Sequence, residues 1–575
     1  MSRIKIYVVL TLITILGIVI QLSDDYMAEG VRNTYKEYVE NDEWKRIIAK
    51  SVNAGNITFK VDGKEIVSDE PVYMDEELNL LIPLNNVRNA FQCATNFYNK
   101  STLVLEKNSL NITMSINSDI ALVNGEQQNI VAGVEDIDGK YYVSAQAIAE
   151  GLMYDYNWSI EETTLELTSV LEDTKIIPSY YSYRDAKKLP DPKNQGRLGT
   201  CWAFASLTAL ETTLYPEEKL IFSEDHMSLN SGYNMTQNDG GEYTMAIAYL
   251  AAWKGPVYEE EDPYGDGVTT QGLTAKKHVQ EVQIIDSKDF EGIKRAVYLY
   301  GGVQSSLYTS LKNSNSSSVY YNKTEYAYCY VGTEKPNHDV VIVGWDDNFP
   351  KEYFNTELEG DGAFICMNSW GESFGDNGIF YVSYFDSNIG THNVCYTKVE
   401  DSDNYDNIYQ TDLCGWIGAL GYSNSEEAYF SNVYTATTQE ELEAVSFYAT
   451  GKNTEYEVYW VDNFENEDSF ANRELLTSGK FTYAGYYTVD LSKSKKELEI
   501  GKKYAVVVKI KTPNSTHPVA IEYVAGDNTS TIDITDGEGY GSLNGNRWTR
   551  VETAENCNVC LKMFTNNIVG EDDYE

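Results

Sequence analysis

The sequence predicts a multidomain α+β protein, in which a mixed central block lies between an N-terminal α+β repeat module and a C-terminal β-sandwich. The chain has 575 residues, enough for about three or four domains. Its hydrophobic content of 42% is sufficient for several cores, which excludes a mostly disordered acidic chain. An internal repeat occupies residues 55–170, and short strands of alternating polarity fill residues 405–565. These features together predict separately folded modules.

The first residues predict export. Arg3 and Lys5 precede an uncharged run over residues 6–23, which is about the minimum length that crosses a bilayer. Because no A-x-A-like cleavage site follows, we interpret residues 1–23 as an uncleaved signal anchor. The alternatives are a cleaved signal peptide and a buried core helix. Residues 24–54 are expected to form a stalk or connector, and the helical spacing over residues 30–52 also allows a packing helix. The rest of the chain is therefore expected on the extracellular face of the membrane, or secreted if the segment is cleaved.

The charge balance excludes one class of partner. The chain carries 88 acidic and 44 basic residues, a formal net charge of −44. Nucleic-acid binding needs a basic face, so no nucleic-acid partner is expected. Eight cysteines are too few for a disulfide scaffold. The pair Cys557 and Cys560 lacks a second pair, which favours a structural thiol or disulfide over zinc, and no metal or cofactor is expected.

The N-terminal repeat has a constant offset. Residues 81–97 align with residues 142–158 at an offset of 61, and each copy predicts a strand, a short helix and a strand. Asn124-Gly125 is a turn signal between apolar runs. The pattern resembles the copper amine oxidase N-terminal-like repeat of Gram-positive surface proteins. This resemblance implies a spacing or wall-associated module over residues 55–170 and no copper site.

The central block contains a candidate nucleophile. A glycine-bearing loop over residues 194–200 leads into an apolar helix that begins at Cys201. A helix N-terminus favours the thiolate, the reactive form of cysteine. Gln195, six residues earlier, can direct its side-chain NH₂ at a developing oxyanion beside the Cys201 N–H.

The nucleophile needs a base, and the chain has five histidines. His338 begins a nearly continuous apolar strand that would hold the imidazole rigidly, and His392 is a weaker competitor. Asn368, on what we expect to be a neighbouring strand, can orient the His338 ring, and Trp370 can screen that bond from water.

These residues resemble the papain-like cysteine proteases. The matching positions lie 137 residues (Cys201 to His338) and 167 residues (Cys201 to Asn368) apart, near the family's usual spread. The resemblance implies a papain-like fold, with a helical subdomain and a β-barrel-like subdomain, over residues 178–398. This range overlaps the second half of a segment, residues 171–188, whose composition is typical of a linker. The resemblance also implies peptide substrates, with the backbone of Gly240 and Gly241 binding them in extended form.

Residues 405–565 resemble the lectin-like domain that follows the protease in some bacterial surface enzymes. The resemblance rests on aromatic residues and strand order, with Trp416 and Tyr422 among the matching positions. Exposed aromatics can stack on cell-wall glycan, whereas in a sandwich they more often fill the core. Both glycan binding and a packing role therefore stay open.

The expected function is that of a membrane-tethered, extracellular cysteine endopeptidase acting through a Cys201 acyl-enzyme. A different class of function is a surface adhesin or cell-wall structural protein with an inactive protease domain. A transpeptidase that uses the same acyl-enzyme is a third possibility, because only the acceptor differs.

Overall fold

The computed structural model describes residues 42–568 except 55–56, 68–69, 92, 99–100, 108–109, 117, 124–125, 131–132, 138, 160–162, 170–177 and 423. The chain forms two compact units, Met1–Ile176 and Ile177–Glu575. The predicted anchor, most of the stalk and the Asn124-Gly125 turn lie outside the described residues. Within the described part of the chain, no helix combines the length and the apolar character needed to cross a membrane.

The first unit is a small α+β module. Its helices are α1 (Asp42–Asn53), α2 (Leu84–Phe91) and α3 (Ala145–Leu152). Its strands, β1 to β13 in chain order, are Thr58–Val61, Lys64–Glu65, Tyr73–Met74, Leu80–Pro83, Ala94–Tyr98, Thr102–Lys107, Leu110–Ser115, Ile120–Val123, Glu126–Asn129, Val134–Ile137, Lys140–Ser144, Tyr154–Ser159 and Thr164–Ser169. They form sheets of four, four and five strands.

The predicted repeat is visible in this unit. Helices α2 and α3 begin 61 residues apart (145 − 84), and each follows a strand and precedes another. The corresponding strands β4 and β11 pair antiparallel, with Val143 opposite Ile82. The two copies therefore share one sheet at their equivalent strands.

Helix α1 packs against this module. The side chains of Ala49 and Val52 are buried, and Asn53 exchanges two hydrogen bonds of 2.8 Å with the backbone of Met74. Residues 42–53 were expected within a stalk or connector. Their buried side chains pack against the first unit, as in the packing helix that the sequence also allowed.

The second unit contains the remaining elements. Its helices are α4 (Cys201–Leu214), α5 (Glu224–Leu229), α6 (Tyr243–Ala251), α7 (Phe290–Leu299) and α8 (Val551–Ala554), with 3₁₀ turns at Lys351–Tyr353, Glu467–Asn472, Ser492–Ser494 and Asp527–Thr529. Its strands, β14 to β36 in chain order, are Tyr180–Ser182, Lys277–Ile285, Val303–Leu307, Tyr321–Asn322, Ala327–Tyr328, His338–Asp346, Ala363–Met367, Ile379–Ser383, Asn393–Asp401, Asn407–Tyr409, Gly418–Leu420, Glu427–Thr435, Glu440–Ala449, Thr454–Val461, Glu474–Phe481, Ala484–Asp490, Glu497–Leu498, Lys503–Lys511, Val519–Tyr523, Gly539–Ser542, Thr549–Arg550, Cys557–Val559 and Leu561–Asn567.

Strand β19 carries His338 and lies at the centre of the site. It pairs antiparallel with β16 and with β20, the strand that leads to Asn368. Strand β14 also pairs with β19, and the buried Tyr183 donates to the Val297 carbonyl over 2.7 Å. Residues 180–182, which the sequence analysis assigned both to the linker and to the match over residues 178–398, are therefore part of this sheet.

The C-terminal part is the expected β-sandwich. Strands β28-β27-β31-β25-β33-β34 form one six-stranded sheet. Its inner face contributes Phe430, Trp460 and Val508 to a core that it shares with Phe447 and Leu561 of the facing strands. The structure thus confirms the predicted multidomain α+β class, with a sandwich after the mixed block.

Candidate active site

Cys201 is the first residue of α4 and lines an open cleft of about 1080 Å³. As the first helical residue, its backbone N–H has no acceptor within the helix. The loop before it is fixed by two contacts: Gly199 N donates to the Gln237 carbonyl over 2.8 Å, and the Thr200 hydroxyl lies 2.6 Å from that of Tyr264. The thiol and a backbone N–H outside the helical hydrogen-bond pattern therefore belong to the same residue of the cleft.

His338 lines the same cleft and is oriented by Asn368. His338 Nε2 lies 2.8 Å from Asn368 Oδ1, and both side chains are buried. Because an amide oxygen only accepts, Nε2 carries the proton of this bond, and Nδ1 of a neutral ring remains an acceptor. The Trp370 ring stacks on the imidazole with centroids 4.9 Å apart. The predicted histidine, asparagine and tryptophan are thus together.

Gln195 is held by the segment that carries Asn368. Its backbone N–H donates to the Ser369 carbonyl over 2.9 Å, and its Oε1 accepts from Ser369 Oγ at 2.5 Å. Its Nε2 donates one hydrogen to the Leu198 carbonyl over 2.9 Å. An amide nitrogen has two hydrogens, so the second remains for a ligand.

Burial sets the protonation of the two reactive groups. Desolvation and the nearby Asp339 carboxylate raise the pKa of the Cys201 thiol to about 12. Desolvation lowers the pKa of His338, although Asn368 and Asp339 oppose this shift. The expected effect of the helix N-terminus on the thiol is smaller than that of burial. Burial thus favours the neutral thiol and the neutral imidazole, whereas the helix N-terminus favours the thiolate, which stays a prediction.

Gly240 and Gly241, which were predicted to bind a peptide through their backbone, are each favoured as glycine for a different structural reason. Gly240 has a φ of +84°, which only glycine adopts easily. A Cβ on Gly241 would lie 2.4 Å from Trp202 Nε1. Both residues line the cleft beside Cys201, so a bound peptide would pass along bare backbone.

Sequence reasoning missed a polar bridge beneath the site. Asp339 accepts hydrogen bonds from Gln304 Nε2 (2.9 Å) and Ser306 Oγ (2.7 Å). Gln304 Oε1 in turn accepts from Ser206 Oγ of α4 over 2.7 Å. The bridge links the residue after His338 to the helix of Cys201. An acidic residue directly after the histidine was the only signal in the sequence.

The remaining histidines have other surroundings. His392 also lines the cleft, but Asn368 bonds to His338. His226 lies 2.6 Å from the Tyr249 hydroxyl, and His278 stacks on Trp253 and lies 2.6 Å from Asn404 Oδ1. These contacts satisfy His226 and His278 within the core.

Seven of the eight cysteines are buried free thiols, including Cys557 and Cys560, and Cys201 is the partly exposed one. This arrangement agrees with a structural role for the Cys557 pair as thiols. In the described ranges, no group of three or more His, Cys, Asp or Glu side chains is arranged to hold a metal ion.

The aromatic residues considered for glycan binding, Trp416 and Tyr422, pack within the sandwich, as does Tyr409. Trp416 lies 5.9 Å from the Tyr448 ring, and Tyr422 packs against the sandwich core. Tyr409 donates its hydroxyl to the Glu440 carboxylate at 2.7 Å. These contacts favour the packing role, while glycan binding stays a prediction.

Three family models match the chain. Residues 177–400 match the papain family cysteine protease, residues 408–565 the lectin-like domain, and residues 60–167 the copper amine oxidase N-terminal domain. Each match lies where the sequence showed the corresponding resemblance.

The chain is also similar to a cathepsin. Cathepsin K of Mus musculus is 29% identical over 211 residues, which cover 35% of this chain and 58% of cathepsin K. The chain thus spans less than two thirds of that relative's length.

Two solved structures of the protease Cwp84 are similar to this chain over more than half of its length. The clostridial cysteine protease Cwp84 after propeptide cleavage is 28% identical with a TM-score of 0.60, covering 68% of this chain and 100% of that one. The cysteine protease and lectin-like domains of Cwp84, a surface layer associated protein of Clostridium difficile, are 27% identical with a TM-score of 0.59, covering 68% and 89%. The chain therefore contains a papain-family cysteine protease domain, preceded by a copper amine oxidase N-terminal domain and followed by a lectin-like domain.

Proposed function

We propose that the chain is a cysteine endopeptidase that hydrolyses peptide bonds through an acyl-enzyme on Cys201. The observation that carries this proposal is a cleft lined by a partly exposed thiol and by an imidazole that is hydrogen-bonded to Asn368. The other thiols of the chain are buried away from solvent.

In the first step, Cys201 Sγ attacks the peptide carbonyl carbon while its proton passes to His338 Nδ1. The carbonyl oxygen becomes an oxyanion, which accepts hydrogen bonds from the Cys201 N–H and from Gln195 Nε2. Asn368 stabilises the imidazolium that forms, because its oxygen accepts from Nε2 in both states. His338 then gives its proton to the amine as the C–N bond breaks, leaving a thioester.

In the second step, water replaces the amine. His338 Nδ1 removes a proton from the water, whose oxygen attacks the thioester carbon. The C–S bond breaks, the product carboxylic acid leaves, and Cys201 recovers its proton. No cofactor is needed, since every proton is held by His338, Cys201 or water.

We also propose that the enzyme acts outside the cell, held by residues 1–23. The pattern of positive residues before an apolar run supports this placement. Cwp84, with both the protease and the lectin-like domain in common, is described as a surface layer associated protein. Fractionation of cells that express the chain tests the proposal: membrane-bound protein accessible to external protease supports it, and protected cytosolic protein contradicts it.

A thiol-reactive epoxide distinguishes an active peptidase from an inactive adhesin. Mass spectrometry of the full chain after brief exposure should find the label at Cys201, with loss of labelling in the His338→Ala variant. Cys366, a buried thiol on β20, is the internal control. Equal labelling of Cys201 and Cys366 would favour the adhesin.

Added amine distinguishes hydrolysis from transpeptidation. With a short peptide and an excess of glycine amide, an endopeptidase gives the free acid as the main product. A dominant amide product would assign the chain as a transpeptidase instead.

A further inference from the structure

The catalytic cleft is lined by two domains. Cys201 and His338 belong to the protease domain, whereas residues 525–529, which also line the cleft, belong to the lectin-like domain. A peptide bound at Cys201 therefore meets a loop of the neighbouring domain. We call residues 525–529 the sandwich loop.

The sandwich loop has a fixed shape. It contains the 3₁₀ turn Asp527–Thr529, and the buried hydroxyl of Thr529 accepts hydrogen bonds from Ala525 N (2.8 Å) and Gly526 N (3.1 Å). Asp527 and Asn528, at the outer side of the turn, are exposed. The turn thus presents one carboxylate and one amide.

The sandwich loop is also fixed to the protease domain. Asn234 N donates to the Asn528 carbonyl over 2.8 Å, and Asn234 Nδ2 donates to the Asp527 carbonyl over 3.2 Å. Just beyond the loop, Thr531 Oγ1 donates to the Gly232 carbonyl over 2.5 Å. Residues 232–234 lead directly into the segment of Gly240 and Gly241, which lines the cleft. The loop is thereby joined to the expected peptide path.

The charges around the cleft are mainly negative. Asp239, Glu242, Asp339 and Asp527 line it, while Lys335 is the one lysine or arginine among its described lining residues. Asp239 and Asp339 accept hydrogen bonds from neighbouring side chains. Glu242 and Asp527 are exposed, and Glu242 makes no hydrogen bond to cap α6. Two exposed acidic residues from two different domains therefore line the cleft.

We propose that the sandwich loop is part of the substrate site and that Asp527, with Glu242, selects peptides with lysine or arginine near the scissile bond. The inference rests on the proposed peptidase function, which supplies the peptide as ligand. A cationic side chain would gain a charge-assisted contact to a carboxylate in a partly enclosed cleft. The lectin-like domain then contributes to specificity directly.

Matched peptides test the inference. Each pair differs at one position, with lysine in one peptide and norleucine in the other, and the position is moved along both sides of the scissile bond. The measured quantity is the ratio of kcat/KM within a pair, which does not depend on the fraction of active enzyme. The variants are Asp527→Asn, Glu242→Gln and both together, with Glu497→Gln, an exposed carboxylate of β30, as control.

The wild type should prefer lysine at one position or more. Each single variant should reduce that ratio by about threefold, as expected for a partly exposed ion pair, while norleucine peptides keep their rates. Added salt should reduce the wild-type ratio in the same direction. An unchanged ratio in Asp527→Asn, with peptides still cleaved, overturns the inference alone. If the wild type cleaves no peptide of the set, the proposed function itself fails.

Discussion

At the scale of single residues, His338 and Cys201 depend on burial for their protonation. Burial favours the neutral form of each group, and the proposed mechanism begins from a thiol and an imidazole. Attack then requires proton transfer, and the transferred charge must be stabilised inside the site. Asn368 and Asp339 are the two neighbours that favour the imidazolium.

The first residue-scale prediction concerns Asn368. Replacing Asn368 with alanine removes the acceptor of His338 Nε2 and frees the ring to rotate. We expect kcat/KM for a peptide substrate to fall by about 100-fold. The chain offers a matched control, because His278 and Asn404 form a second pair at 2.6 Å outside the cleft. Asn404→Ala should leave kcat/KM near the wild-type value; an equal loss in both variants would contradict the orienting role of Asn368.

A second prediction concerns Asp339 and pH. Its carboxylate raises the pKa of both His338 and Cys201, so Asp339→Asn should lower both. His338 must be neutral to accept the thiol proton, and activity is lost as pH falls through its pKa. The acid limb of kcat/KM against pH should therefore move to lower pH in the variant. A limb that stays in place or moves to higher pH would show that Asp339 does not act on this pair.

Candidate site residues could be chosen from the sequence, whereas their surroundings could not. Gln195, Cys201, His338 and Asn368 could be chosen because each has a chemical role and a local pattern. The bridge from Asp339 through Gln304 to Ser206 could not be predicted, because these polar residues lie far apart in sequence and meet only through strand pairing. The effect of burial on the Cys201 thiol pKa could not be predicted for a related reason, since burial is a tertiary property.

At the scale of elements, a buried ion cluster fixes the loop that precedes α4. Lys193 lies 2.5 Å from Glu211 of α4 and 2.7 Å from Glu224 of α5. Both glutamates are almost fully buried, and the Lys193 carbonyl accepts from Gly371 N over 2.9 Å. The cluster therefore connects α4 and α5 to the loop that contains Lys193. The backbone of Lys193 in turn connects this loop to the segment of Gly371.

Removing the cation of this cluster should lower the stability of the fold. Lys193→Met leaves two buried carboxylates without their cation, and we expect a loss of about 3–5 kcal/mol in the free energy of unfolding. Urea unfolding of the full chain measures it. Lys502→Met, which removes an exposed pair with Glu499, should change little. Equal stability of the Lys193 variant and the wild type would show that the cluster does not stabilise the fold.

Elements with strong periodicity were predicted well. Residues 503–511 alternate in the sequence and form β31 over Lys503–Lys511. The repeat offset of 61 also placed α2 and α3 correctly. Strand β14 was not predicted within the linker, because a three-residue strand has too little pattern to be recognised and its partner β19 lies more than 150 residues later.

At the scale of the whole second unit, the protease and lectin-like domains share a sheet. Strand β29 of the lectin-like domain pairs antiparallel with β15 of the protease domain, with Gly485 opposite Gln283. Together with the sandwich loop, this pairing joins the two domains at separate points. Nothing in the local sequence of either strand predicts a pairing across a domain boundary.

A substitution at Gly485 tests the junction between the two domains, which is the pairing of β29 with β15. Its φ is +149°, and a Cβ there would lie 1.9 Å from the Val282 carbonyl oxygen, so Gly485→Ala must push β29 away from β15. We expect the unfolding transition to move down by about 2–4 °C for each kcal/mol lost, and the two domains to unfold separately in calorimetry. Gly360→Ala, whose Cβ would meet only the Phe385 side chain at 3.2 Å, is the control. One unshifted transition in Gly485→Ala would contradict a rigid junction.

The central claim is that Cys201 is the nucleophile of a peptidase, and peptide turnover by the full chain tests it most directly. The Cys201→Ala variant retains the cleft and Gln195 but lacks the attacking sulfur. We expect kcat/KM to fall by at least about 1000-fold relative to wild type, without loss of folded protein. Equal rates of hydrolysis by the wild type and Cys201→Ala would contradict the assignment.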